Sequence, residues 1–155
     1  MCIRDSYEIG VNRDGTQYAL PGFNGTEFYD ENFDLLFELS PGSSEGIIGV
    51  VYSPVADLVY LAWHSFTGPI ASIQVYDTNT FELVDVIDST DQFDWIGNAA
   101  FNEGRLEISG DGRSLFATVD GGVRVYATGV AIPEPAATTV CLGLLLAAAS
   151  RRRRS

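Results

Sequence analysis

The chain has 155 residues, 46% of them hydrophobic, enough for one domain with a modest core and too apolar for a disordered segment. Acids outnumber bases 21 to 9, lysine is absent, and four of the nine arginines are Arg151 to Arg154. Residues 1–132 therefore hold 20 acids against 5 arginines, a net charge of −15, which argues against partners with phosphate backbones or anionic lipid surfaces.

Such a charge fits a body kept soluble outside the cytoplasm; the sharper reading of it is divalent-cation binding. The two cysteines, Cys2 and Cys141, lie at opposite ends, without a C-x-x-C pair or the spacing of a zinc site. No disulfide is expected between them.

Residues 1–6, Met-Cys-Ile-Arg-Asp-Ser, lack the basic and apolar regions of a secretion signal. They resemble a leader found at the start of metagenome-derived reading frames, where adapter sequence has been translated. The expectation is that the natural protein extends further upstream; a short N-terminal strand is the alternative.

Residues 7–130 read as strands. β-branched and aromatic residues cluster in short runs, and Asp14-Gly15, Asp111-Gly112 and Gly121-Gly122 are hairpin-type turn pairs between them. The runs repeat. Val11 to Ala19 resembles Ile108 to Ala117, with Tyr52 to Ala62 filling the same slot between them. Phe28-Tyr29-Asp30 matches Val75-Tyr76-Asp77, and Val125-Tyr126-Ala127 is a shorter third copy. Tyr29, Tyr76 and Tyr126 are thus equivalent, at separations of 47 and 50.

A period in the forties with several strands per repeat is the signature of propeller blades. The central copy predicts four strands, at about Ile47–Tyr52, Leu58–Trp63, Ile70–Tyr76 and Glu82–Ile87. Its order of Ser53-Pro54, apolar strand, Val75-Tyr76-Asp77, Thr80 and closing strand resembles YVTN-type β-propeller repeats. Val55-Ala56-Asp57 replaces that family's usual Asp-Gly turn, and an insertion around His64 to Ala71 lengthens the second hairpin. The expected fold is all-β: a partial β-propeller of about three four-stranded antiparallel blades, followed by a C-terminal apolar helix. Closure takes about 4–8 blades. The chain is therefore expected to be either part of a larger propeller or an open stack whose end sheets expose apolar faces.

Candidates for chemistry are few. His64 is the only histidine, beside Trp63 at a strand end, and no partner for general-base work is specified. Gly110-Asp111-Gly112 precedes a strand rather than a helix, so it is a turn and not a phosphate cradle. Asp88, Asp91 and Asp94 could offer oxygen ligands to calcium, although their every-third spacing is not that of an EF-hand. A solvated loop with side-chain-capped turns is the plainer account of them, and of Asp30, Glu31 and Asp34. Phe93 and Trp95 beside the aspartates suit either sugar binding or packing between sheets. No catalytic residue is assigned.

Residues 131–155 form a separate unit. Pro133-Glu134-Pro135 makes a stiff extended spacer, followed by an Ala- and Leu-rich run to Ser150 and then Arg151, Arg152, Arg153 and Arg154. As a helix the run would rise only ~22 Å, short of the ~30 Å hydrocarbon core, with arginine snorkelling to offset part of the difference. The arginines should stay cytoplasmic and place residues 1–132 across the membrane.

This arrangement resembles the PEP-CTERM sorting signal of exopolysaccharide-producing Gram-negative bacteria. The resemblance implies Pro133, Glu134 and Pro135 as the sorting motif and Arg151 to Arg154 as the stop signal. It also implies an exosortase as partner, transient residence in the inner membrane, and then the cell surface or an extracellular matrix containing polysaccharide. An exported binding or structural propeller is the leading expectation. A propeller enzyme of lactonase type and a calcium-dependent adhesin are the alternatives, and calcium is the one cofactor considered.

Overall fold

The structure is a computed structural model that describes residues 8–22, 25–42, 44–65, 67, 71–89, 93, 106–119 and 122–129. Eleven strands and no helix occur among them. The first sheet contains β1 (Gly10–Val11), β2 (Gln17–Gly22), β3 (Gly25–Asp30) and β4 (Leu35–Leu39). The central sheet contains β5 (Glu45–Tyr52), β6 (Leu58–Ser65), β7 (Ala71–Asp77) and β8 (Leu83–Ser89). The third contains β9 (Leu106–Ile108), β10 (Ser114–Val119) and β11 (Gly122–Ala127). All three are antiparallel meanders in sequence order, and they do not close into a barrel. The C-terminal helix expected after Pro135 lies outside the described residues.

The repeat seen in the residues recurs in the strand pairing. Tyr29 pairs with Tyr18, Tyr76 with Val59 and Tyr126 with Leu115, in each case the second residue of the preceding strand. On the other side, Val11, Tyr52 and Ile108 pair with those same second residues. Because side chains alternate across a strand, equal register puts equivalent residues on equivalent faces.

Two cores follow from this alternation. One face of the first sheet, with Ala19 and Phe28, packs on Tyr52, Val59, Leu61 and Tyr76 of the central sheet. The opposite face of the central sheet, with Tyr60, Ala62, Ile73 and Val75, packs on Leu115, Ala117 and Val119 of the third. The central strands are therefore apolar on both faces, which explains the unbroken run Val59 to Ala62, every member of it fully buried. Gly10 lets β1 approach β5: a methyl at its Cα would meet Val50 Cγ2 at 3.0 Å and Tyr52 Cδ2 at 3.2 Å. The Val50 N–H on this side of β5 donates to Glu8 Oε2 at 3.1 Å.

The last strand of each sheet is the most exposed, as the patterns of β4, β8 and β11 show. The end sheets also leave apolar faces open. Val11, Phe33 and Leu35 are exposed at the first sheet, and Phe116, Val123 and Val125 at the third.

Candidate functional site

In a meander, alternate turns share an end of the sheet. The β1–β2, β3–β4, β5–β6, β7–β8 and β9–β10 turns therefore lie at one end of the sheets. Ser65 and Ala71, Ser89 and Leu106, and Val119 and Gly122 end or begin their strands at the other end.

The turn end is held by side chains that serve their own backbone. Asn12 Oδ1 accepts from the N–H groups of Thr16 and Gln17 at 2.8 and 3.1 Å. At the equivalent position Ser53 Oγ accepts from Val55 and Ala56, and Ser109 Oγ accepts from Ser114 at 2.9 Å. Asp30 Oδ1 accepts from Asn32 and Asp34, and Asp77 Oδ1 from Asn79 and Thr80, all at 2.8 to 2.9 Å. These backbone donors hold both carboxyls below the usual range. The Ser109 hydroxyl and then the Arg113 N–H do the same for Asp111. Carboxylates engaged in this way act as turn caps rather than as a ligand set.

Two of the residues that follow these aspartates carry strain. Phe33 closes a three-residue loop at φ 62 and Phe81 a four-residue loop at φ 57, a left-handed conformation usually given to glycine or asparagine. Phe33 stacks on Tyr18, at a centroid distance of 5.0 Å. Phe81 reaches from the central sheet into the first, stacking on Phe37 at 4.8 Å and tilting against Phe28 at 5.2 Å. The sequence does not announce this contact, although the shared Asp-x-Asn context of the two turns aligns the phenylalanines once the repeat is known.

Polar contacts complete the seam between the first two sheets. Arg13 Nη2 donates to Asp57 Oδ1 at 2.9 Å and Gln17 Nε2 to the Thr78 carbonyl at 3.2 Å, while within the central sheet the Thr78 N–H donates to the Asp57 carbonyl at 2.9 Å. The repeated tyrosines each find an oxygen. Tyr29 donates to Glu27 Oε2 and Tyr76 to Gln74 Oε1, both at 2.6 Å, whereas the Tyr126 hydroxyl lies 2.8 Å from Ser89 Oγ of the central sheet. The bond to Glu27, with burial behind it, pushes the Tyr29 phenol up to about 12.

The other end holds the sequence candidates. His64 lies at the end of β6, paired with Gly46 and Ala71, and is buried; that burial pushes its imidazole below the ordinary histidine range. It is therefore neutral at pH 7. Asp88 is exposed on β8 opposite Ser72, while Asp91 and Asp94 lie outside the described residues. Phe93 is buried in the core between the central and third sheets and bridges to Val119, so its role is packing and not sugar stacking. Trp95 lies outside the described residues, as do Pro133, Glu134, Pro135 and Arg151 to Arg154. Among the described residues no three His, Cys, Asp or Glu side chains gather as a metal site, and no helix is long and apolar enough to cross a membrane. Glu31 is exposed at the turn end, beside the Asp30 cap.

Neither a family model nor a curated protein matches the chain.

Proposed function

We propose that the protein is an exported binding or structural module of β-propeller type, brought to the cell surface or extracellular matrix by a PEP-CTERM signal. The observation that carries the propeller reading is the equal register of Tyr29, Tyr76 and Tyr126 in successive sheets that stack face to face. Inner strand β5 meets the neighbouring sheets while the outer strands β4 and β8 face solvent, the radial grading that blades around an axis require. The module's partners are an exosortase, the inner membrane during processing, and extracellular polysaccharide.

The sorting half of the proposal rests on Pro133-Glu134-Pro135, the apolar run and Arg151 to Arg154. In a host with the matching exosortase, intact-mass analysis of the exported protein should find a C-terminus near the triplet. Alanines at Pro133, Glu134 and Pro135 should leave the protein uncut and retained in the inner membrane. A mature surface protein still carrying Arg154 would overturn this half and leave a simple anchor.

A further inference from the structure

Two Asp-Gly pairs stand at equivalent turns, Asp14-Gly15 between β1 and β2 and Asp111-Gly112 between β9 and β10. Both glycines take the left-handed conformation, at φ 72 and 69. An aspartate followed by glycine carries its own electrophile and nucleophile, because no side chain shields the glycine nitrogen from the carboxyl carbon before it. A bond forms from that nitrogen to Cγ, a C–O bond of the carboxyl breaks, and the oxygen leaves as water with the amide proton. Water then opens the five-membered imide at either carbonyl. One product is aspartate again, and the other is isoaspartate, whose main chain runs through Cβ and Cγ.

The two pairs differ in how they are held. Asp111 Oδ1 accepts from the Ser109 hydroxyl and from the Arg113 N–H, contacts that keep its carboxylate charged and turned away from Gly112 N. The Gly112 peptide is pinned on each side: its N–H donates to the Ser109 carbonyl at 2.8 Å, and Thr128 Oγ1 donates to its carbonyl at 2.6 Å. Val55 walls the glycine itself, since a methyl there would meet Val55 Cγ2 at 2.5 Å. The first turn is open. A methyl on Gly15 would meet nothing within 4 Å, and the Gly15 N–H reaches the Asn12 carbonyl at a longer 3.1 Å. The Asp14 side chain is 65% exposed and lies 3.6 Å from Arg13 Nε, beyond hydrogen-bond distance.

We infer that Asp14 is a site of self-modification to isoaspartate in the folded protein, and that packing on the central sheet protects Asp111 from the same reaction. The inference depends on neither the propeller reading nor the sorting signal. The added main-chain carbon falls inside the turn that Asn12 caps, next to the Arg13 that reaches Asp57 of the central sheet. Modification at Asp14 therefore acts on the seam between the first two sheets.

The test ages the folded full chain in mild detergent at neutral pH over weeks. It is then digested with endoproteinase Asp-N, which cuts before aspartate but not before isoaspartate, and the peptides are quantified by mass spectrometry. Asp111 must first give up at least one charge-assisted bond, so loss of the Asp14 cut should be about tenfold faster or more. Ser109→Ala should speed the reaction at Asp111 and leave Asp14 unchanged. Wild type aged in guanidinium makes the same comparison without relying on that variant to fold, and there the two sites should react at similar rates. Equal rates in the folded chain, or no reaction at Asp14, would overturn the inference. A difference that persists in guanidinium would also overturn it, because neighbouring sequence rather than the fold would then be the cause.

Discussion

Phe81 is the sharpest place to test how the first two sheets are held together. Its ring is half-buried between Phe37 and Phe28, while its backbone sits at φ 57. Truncating a fully buried phenylalanine costs about 3–5 kcal/mol, so a half-buried ring should cost roughly 2, with the stacked pair adding up to about 1. Phe81→Ala should therefore destabilise by about 2–3 kcal/mol. Alanine keeps the Cβ that makes a left-handed backbone unfavourable by about 1–2 kcal/mol, and glycine does not. Phe81→Gly should accordingly be the milder variant by about 1 kcal/mol, even though it removes more atoms.

Phe33 supplies the control: the same backbone at φ 62, but a residue 59% exposed whose ring stacks on Tyr18. Phe33→Ala should cost about 1 kcal/mol or less, and Phe33→Gly should be near neutral. Urea unfolding of the full chain, followed by tryptophan fluorescence, measures all four, since Trp63 borders the same core. Glycine no better than alanine at position 81 would refute the strain. Equal costs at 33 and 81 would refute the role of Phe81 as a clamp.

Two other outcomes follow from the turns and from His64. Gly15 and Gly112 hold equivalent turns at φ 72 and 69, but only at Gly112 would a methyl meet Val55 Cγ2, at 2.5 Å. Gly112→Ala should thus cost more than the roughly 1 kcal/mol of Gly15→Ala, and Val55→Ala should rescue only the excess, as a double-mutant cycle in urea would read. In acid, the buried His64 takes up a proton less readily than it does unfolded, where the ordinary value is 6.5. Stability should therefore be full above that value and decline as pH falls below it. The capped Asp30, Asp77 and Asp111 add their losses only below the ordinary carboxylate value of 3.8, as pH falls through their lowered folded values. Melting temperatures across pH 7 to 3 for wild type and His64→Gln should differ in the first stage and agree in the second.

The sequence made the strands legible because their pairing is local. The central four emerge within two residues of their predicted ends: the run from Leu58 extends to Ser65, and the last strand is shifted to Leu83–Ser89. The equivalence of the three tyrosines was also open to reading, since register in a meander follows from turn length. What stayed hidden depends on packing between sheets. Arg13 and Asp57 lie 44 residues apart, and nothing in either residue's neighbours names the other. Phe93 read equally as a sugar-binding aromatic or as core, and only its bridge to Val119 decides. The acids at Asp30 and Asp77 could be read as turn caps because Asx turns are local. The burial of His64 could not.

The repeat also indicates where variation in this protein should be tolerated and where it should alter function. Positions that recur in all three sheets are accounted for by pairing and stacking: Asn12, Ser53 and Ser109 cap turns, and Tyr29, Tyr76 and Tyr126 hold one register. Substitutions there should be felt as stability, because each removes a contact the fold uses. Residues 66–70 and 90–105 have no counterpart of similar length between the matching strands of the other sheets, and of the longer stretch Phe93 is taken up by the core. Backbone that a scaffold carries without needing it for the core is where binding residues concentrate. Asp91, Asp94 and Trp95 belong to residues 90–105 in sequence and lie outside the described residues. Asp30, Asp77 and Asp111, by contrast, are already engaged in closing turns.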